Sequence, residues 1–393
     1  MSNEGMKSVR LFFLMALTGL FTMVTEMATG MATGMATARA AADNPEAMSR
    51  PFRLRTISFL PPVNHDKPLG RDNRSGLAVH GDAVIGDFSP SGEGWVGSRN
   101  FNSGKVNWWF DAGSEVTSPM VNLGGFVVFG TRNGKIFKVD VTTGKRAWEG
   151  SLDSFTDRRP VLAGNILLIQ STAQVLYGID YQTGKSLWLF DAGFPEGLTV
   201  VGGAAPVVSG DIVIAGLASG EVVAAGLQNG KLSWRANPVV SDARFRDVVG
   251  EMHVREGILY LTRYDGIVAA VDIRTSDTRT VWQEKYPAIA TSAVRNGRLY
   301  LGCVNGDVVS LDQNNQGRQL WRTVTGAPVT TLTAAETRIV ATSSTGRVTA
   351  MDLQSGATQW HDSTGYSVTA QPMFTHDGIY FLTGLGNAYG YRL

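Results

Sequence analysis

The sequence has a single cysteine, Cys303, in 393 residues. No intramolecular disulfide and no cysteine-based metal cluster can form, and a lone thiol in the apolar run Leu301-Gly302-Cys303-Val304 reads as core. Excess charge is also missing: 35 basic residues face 34 acidic ones, with no run of Lys or Arg. That removes the electrostatic footprint of a nucleic-acid-binding protein, so no nucleic-acid partner is expected. Histidine is scarce, and the five present show no metal-ligand spacing, so no metal site is expected. No Gly-x-Ser-x-Gly elbow and no phosphate loop occurs. No apolar run approaches the roughly 20 residues needed to cross a bilayer as a helix. What is abundant is apolar material, 43% of the residues against 18% charged, which describes a folded globular chain.

The N-terminus differs in composition from the rest. Lys7 and Arg10 precede an apolar stretch from Leu11 to Val24, and small residues then lead to Ala38-Arg39-Ala40. A charged start, a short apolar stretch and an A-x-A site form the pattern of a secretory signal peptide. The expected organisation is a signal peptide over 1–40, a linker over 41–50 and one folded domain over 51–393. No cysteine stands at the expected cleavage site, so no direct lipid anchor is expected.

Tryptophan reveals a repeat. Trp108, Trp148, Trp188, Trp234, Trp282, Trp321 and Trp360 are separated by 40, 40, 46, 48, 39 and 39 residues. A period near forty with several short strands in each unit is the signature of a propeller blade. Gly104, Gly144, Gly184 and Gly230 each lie four residues before a Trp, and Asp140 and Asp180 lie four residues before the Gly. Asp followed by polar residues and Gly is turn chemistry, because Asp caps its own turn and Gly tolerates a positive φ. Alternating runs such as Lys135 to Asp140 read as half-buried strands. The seven Trp are assigned to docking between blades, where a large ring buries much apolar area.

Seven complete units are counted, and an eighth begins near Ser367 with three strands before the chain stops. Its outermost strand is expected from Phe52 to Phe59, which would close the ring with the N-terminus. The expected fold is all-β: an eight-bladed propeller of four-stranded antiparallel blades.

The motif Asp-x-x-x-Gly-Lys-x-x-Trp, clearest in Asp140 to Trp148 and Asp180 to Trp188, resembles that of the pyrroloquinoline-quinone-type propeller repeat. The resemblance covers about residues 51 to 393, and within that superfamily length, export signal and blade count are most similar to the outer-membrane assembly factor BamB family. Quinone-dependent dehydrogenases of the superfamily resemble one another in a pair of adjacent cysteines and a calcium set, which Cys303 alone does not match, so no cofactor and no catalytic residue is assigned. A quinone-binding or quinone-dependent oxidoreductase is the alternative reading.

The BamB resemblance implies a non-catalytic periplasmic scaffold that assists assembly and insertion of β-barrel outer-membrane proteins. It implies a BamA-like, POTRA-bearing barrel protein as partner, together with unfolded outer-membrane protein strands. The two long repeats, ending at Trp234 and Trp282, would carry the partner-binding loops. On the first, Leu198 and Val200 match the family's apolar pair, and Val201 stands where the family has Arg. On the second, Arg246 and Asp247 fall in the family's acidic segment, with Val249 in place of its second acid. Fold does not by itself decide function, so these residues carry the functional expectation.

Overall fold

The computed structural model describes residues 53–57, 75–89, 92–193, 199–200, 203–239, 241–375, 378–384 and 386–392. The expected signal peptide (1–40) and linker (41–50) lie outside them, as do Leu198 and Val201. The described residues form thirty-two strands and no helix. They assemble into eight four-stranded antiparallel sheets, an eight-bladed β-propeller. The blades span 77–111, 121–151, 161–191, 207–236, 248–285, 289–324, 331–363 and 373–392, the last completed by Arg53–Ile57.

In seven blades the strands lie in sequence order from the axis outward. The eighth recruits its outermost strand from the other end of the chain: Arg53 pairs with Tyr391 and Ile57 with Ala388. The ring is thus closed by hydrogen bonds between the two ends of the domain, which leaves no open end to unravel.

Burial follows from this stacking. The middle strands are covered on both faces: all five residues of Ile166–Gln170 are buried, as are the first five of Val175–Asp180. Each outer strand has one face open, so Arg146–Ser151 and Ser186–Asp191 bury a single residue, Trp148 or Trp188. The core lies between blades. Eight apolar clusters fill the eight seams, from Ile85 and Trp108 packed on Phe129 and Val139 to the closing seam, where Phe101 and Leu77 meet Tyr380 and Leu382.

The repeated Trp is placed by a recurrent irregularity. Each of the seven pairs with the last residue before a register shift in the neighbouring strand, as Trp188 does with Gly178 before Ile179 and Trp148 with Lys138 before Val139. Such a bulge sharpens the local twist and re-aims a side chain. The indole then docks on the next blade. Trp108, Trp148 and Trp188 donate their Nε1 protons to the carbonyls of Val141, Tyr181 and Leu227 at 2.9, 3.0 and 3.0 Å. Their rings lie on Gly144, Gly184 and Gly230 of that same neighbour, close enough that a Cβ on Gly184 would come 2.7 Å from the Trp148 ring. Gly184 also has φ +73°, so the position needs glycine on two counts. Trp234, Trp321 and Trp360 are likewise buried, whereas Trp282 is only half-buried.

Where the turn begins with Asp, that side chain holds it shut. Asp140 Oδ1 accepts from the Thr142 and Thr143 amides at 3.0 and 2.7 Å and from the Thr143 hydroxyl at 2.9 Å. Asp180 and Asp352 repeat this with Thr183 and Ser355. These bonds favour the ionised form, and the carboxyls of Asp140, Asp180 and Asp352 all sit below their ordinary range.

Candidate functional site

Two inter-blade connections break the regularity of the ring: one between Ser186–Asp191 and Val207–Ser209, the other between Leu232–Ala236 and Val248–Arg255. The structure ties them together. The Val200 amide donates to Asp247 Oδ1 at 2.9 Å, Gly203 bridges to Val249, and the Ala204 amide donates to the Val248 carbonyl at 3.0 Å. Val200 is half-buried against the seam that holds Val249, Ile289 and Leu301, so the first connection reaches across to the fifth and sixth blades.

Asp247, placed by the sequence in the partner-binding set, is only 3% exposed. Its carboxylate braces the first loop from below and does not face solvent. Burial pushes this carboxyl up, against the Val200 amide and the positive charge of Arg158, which pull it down. Arg246 is half-buried and donates to the Ser241 carbonyl at 3.3 Å. Its neighbour Arg244 is exposed, with its guanidinium 5.8 Å from the Phe245 ring, which in turn meets Tyr264 edge-on at 6.1 Å. Of the five residues assigned to partner binding, Val200 and Asp247 are in direct contact, Arg246 lies on the same loop, and Leu198 and Val201 lie outside the described residues.

Sequence reasoning missed the groups that hold these loops in place. Arg263 is fully buried: it donates to the Val239 carbonyl at 2.6 Å and forms an ion pair with Asp265 at 2.5 Å, and Ser241 Oγ donates to the same carboxylate at 3.0 Å. One buried pair thereby pins both ends of the segment 239–241. Beneath the first loop lies Arg158, 6% exposed, which donates to the Ser171 carbonyl at 3.0 Å. A signal for Arg158 was available. Aligning the repeats on Val121, Val161 and Val207 puts Arg158 where Ser118 and Ala204 stand, a charge at a position otherwise held by small residues.

The inner strands surround an axial cavity of about 330 Å³, bordered on the loop side by Asp157, Arg158, Gly203 and Glu251. Protein surrounding Glu251 pushes its carboxyl up. Among the described residues, no group of three or more His, Cys, Asp or Glu is placed to hold a metal ion. No helix there is long and apolar enough to cross a membrane.

Comparison with known proteins bears on identity. The family model described as outer membrane protein assembly factor BamB matches residues 92–292 and 278–393. The outer membrane protein assembly factor BamB of Yersinia pestis is 22% identical over 250 residues, covering 60% of this chain and 63% of that protein. The chain thus aligns with a little under two thirds of that relative's length. Among solved structures, BamB from Moraxella catarrhalis superposes with a TM-score of 0.71 at 20% identity, covering 87% of this chain and 100% of that one. The quinohemoprotein alcohol dehydrogenase ADHIIG from Pseudomonas putida HK5 superposes at 0.62 and 13% identity, over 81% of this chain and 73% of that one, a likeness of fold alone. With the family model matching most of an eight-bladed propeller of this repeat, the chain belongs to the outer membrane protein assembly factor BamB family.

Proposed function

We propose that this protein is a non-catalytic periplasmic scaffold that binds a POTRA-bearing barrel protein of the outer membrane and assists assembly of β-barrel proteins there. The observation that carries the reading is the joining of the two long connections through Val200 and Asp247. A partner-binding surface made of loops needs them held in one arrangement, because ordering them on binding would cost affinity. Here the Asp247 carboxylate, the Arg263–Asp265 pair and the Phe245–Tyr264 contact fix the described residues of the two connections that they touch. Residues 1–40 would direct export, and the partner, in place of a lipid, would hold the protein at the membrane.

On this reading the contacts come from the outward side of the loops, where Thr199 and Arg244 are exposed, while Asp247 positions them. Arg244 and Arg246 suit a partner surface with acidic groups. The test is a pull-down from detergent-solubilised envelopes with tagged protein and with a Thr199→Glu/Arg244→Glu variant, both substitutions being at exposed positions. Recovery of a POTRA-bearing barrel protein with the wild type and its loss with the variant is expected. Recovery of no such protein, or equal recovery with both, would overturn the reading.

A further inference from the structure

In three blades the outer two strands carry a cross-strand ion pair at the same place. Its members are the residue at the start of the third strand and the residue that follows the docking Trp on the fourth. They are Lys135 and Glu149 in the second blade, Glu221 and Arg235 in the fourth, and Asp307 and Arg322 in the sixth, at 3.0, 3.3 and 2.7 Å. The register explains the recurrence. Phe137 lies opposite Glu149 and Val309 opposite Arg322, so each charged pair is a diagonal neighbour on the face turned away from the docking indole.

The seventh blade keeps this register and lacks the acid. Thr349 lies opposite His361, the residue after Trp360, and the third strand starts with Arg347. Among the described residues the Arg347 side chain makes no hydrogen bond and no ion pair. Its Nε is buried without an acceptor, whereas its two terminal nitrogens are not buried. Thr349, on the same face, is 2% exposed, and its hydroxyl is also buried without a partner there. The connection from the sixth blade approaches the guanidinium with Gly326, where a Cβ would stand 3.9 Å from Cζ, and its residues 324–330 include no acid. His361 is exposed. A buried donor left unmet is costly, and more so on a charged group.

From this we infer that the rim of the seventh blade is a binding site for a carboxylate from outside the chain, held by the two terminal nitrogens of Arg347 with His361 beside them. The ligand takes the place of the acid that three other blades build in. The open Nη1–Nη2 end of the guanidinium matches the two oxygens of a carboxylate, and a charge-assisted pair of this kind is directional. A free carboxylate and an acidic side chain of a bound protein present the same group. The inference stands apart from the partner reading, whose residues lie on the two connections that flank the fourth blade.

The experiment is labelling of the full chain with phenylglyoxal, which attacks the terminal nitrogens of a guanidinium, read at each arginine by peptide mass spectrometry. The probes are acetate and a capped alanine–glutamate–alanine tripeptide, with acetamide and the glutamine tripeptide as neutral controls. Ionic strength is matched throughout, because an exposed ion pair is weak and screened by salt. Labelling at Arg347 should slow about twofold or more once a carboxylate probe fills half the sites. Arg235 and Arg322, whose carboxylates are built in, should not respond. His361→Glu, at an exposed position, supplies the missing acid, so it should slow labelling at Arg347 and remove the response to acetate. Slowing by acetate marks a site for free carboxylates, and slowing by the glutamate peptide alone marks one for an acidic protein segment; either supports the inference. It is overturned if neither carboxylate slows labelling at Arg347, if the neutral controls slow it equally, if Arg322 responds as strongly, or if folded His361→Glu is labelled like the wild type.

Discussion

Between the second and third blades, Trp148 lies on Gly184 and donates its indole proton to the Tyr181 carbonyl. Between the seventh and eighth, Trp360 is as deeply buried, but it stacks on Tyr391 with centroids 5.1 Å apart, and its Nε1 has no acceptor among the described residues. The two seams differ because their receiving blades are made differently. The third blade is one continuous stretch of chain, so its third and fourth strands are joined by an Asp-to-Gly turn that presents a bare glycine and a free carbonyl. The outer two strands of the eighth blade come from opposite ends of the chain, and no such turn exists there. Ring closure therefore forgoes the polar half of the docking contact and keeps the apolar half, which is the larger: aromatic burial contributes several kcal/mol and a hydrogen bond about one.

The comparison can be broken at its apolar half first. Trp148→Ala should cost about 3–5 kcal/mol in urea unfolding, and Trp360→Ala a similar amount, because both rings are buried to the same degree. Next comes the glycine. Gly184→Ala places a Cβ 2.7 Å from the Trp148 ring and should cost about 1–3 kcal/mol by overpacking, with a further penalty from its positive φ. The polar half is isolated by Trp→Phe. Trp148→Phe should cost about 1 kcal/mol more than Trp360→Phe, since only the former removes a made hydrogen bond.

The smallest effect is the acid sensitivity of the receiving turn. The Asp180 carboxyl is held below its ordinary range by the hydroxyl and amide of Thr183. Its stabilisation is thus present above the unfolded-state value of about 3.9 and is lost as pH falls toward the folded-state value. The gap in melting temperature between wild type and Asp180→Ala should be full at neutral pH and close as the solution is acidified below about pH 4. A gap that persists in acid would show that Asp180 acts through something other than its charge.

Cys303 illustrates how a composition argument meets the structure. The thiol is fully buried, and burial pushes its pKa up to about 12, in keeping with a core residue. Lys138 illustrates the reverse. Six of the seven residues paired with a docking Trp are Ser, Gly or Ala, and the seventh is this lysine. Its ammonium donates to the Tyr181 carbonyl at 2.9 Å and lies over the Phe126 and Tyr181 rings at 4.3 and 3.7 Å. Nothing in the local pattern of Lys135–Asp140 marks it as buried, because Tyr181, whose carbonyl and ring accept its charge, is contributed by the next blade, some forty residues on.

That distinction divides what could be read from the chain and what could not. Blade number, the order of strands and the closing strand near Phe52 follow from sequence alone, because each rests on a repeated local signal: an alternating run, an Asp-to-Gly turn, a Trp at a fixed offset. The candidate site does not. Asp247 is a loop acid by sequence, and only the fold carries it beneath Val200, forty-seven residues away, and buries it there. Arg158, Arg263 and Asp265 likewise have no local motif, because a buried charge is stabilised by whatever the folded ring places around it. Repeated contacts between neighbouring blades leave a periodic trace in the sequence; a single contact made between two loops across a blade leaves none, and tertiary structure alone decides it.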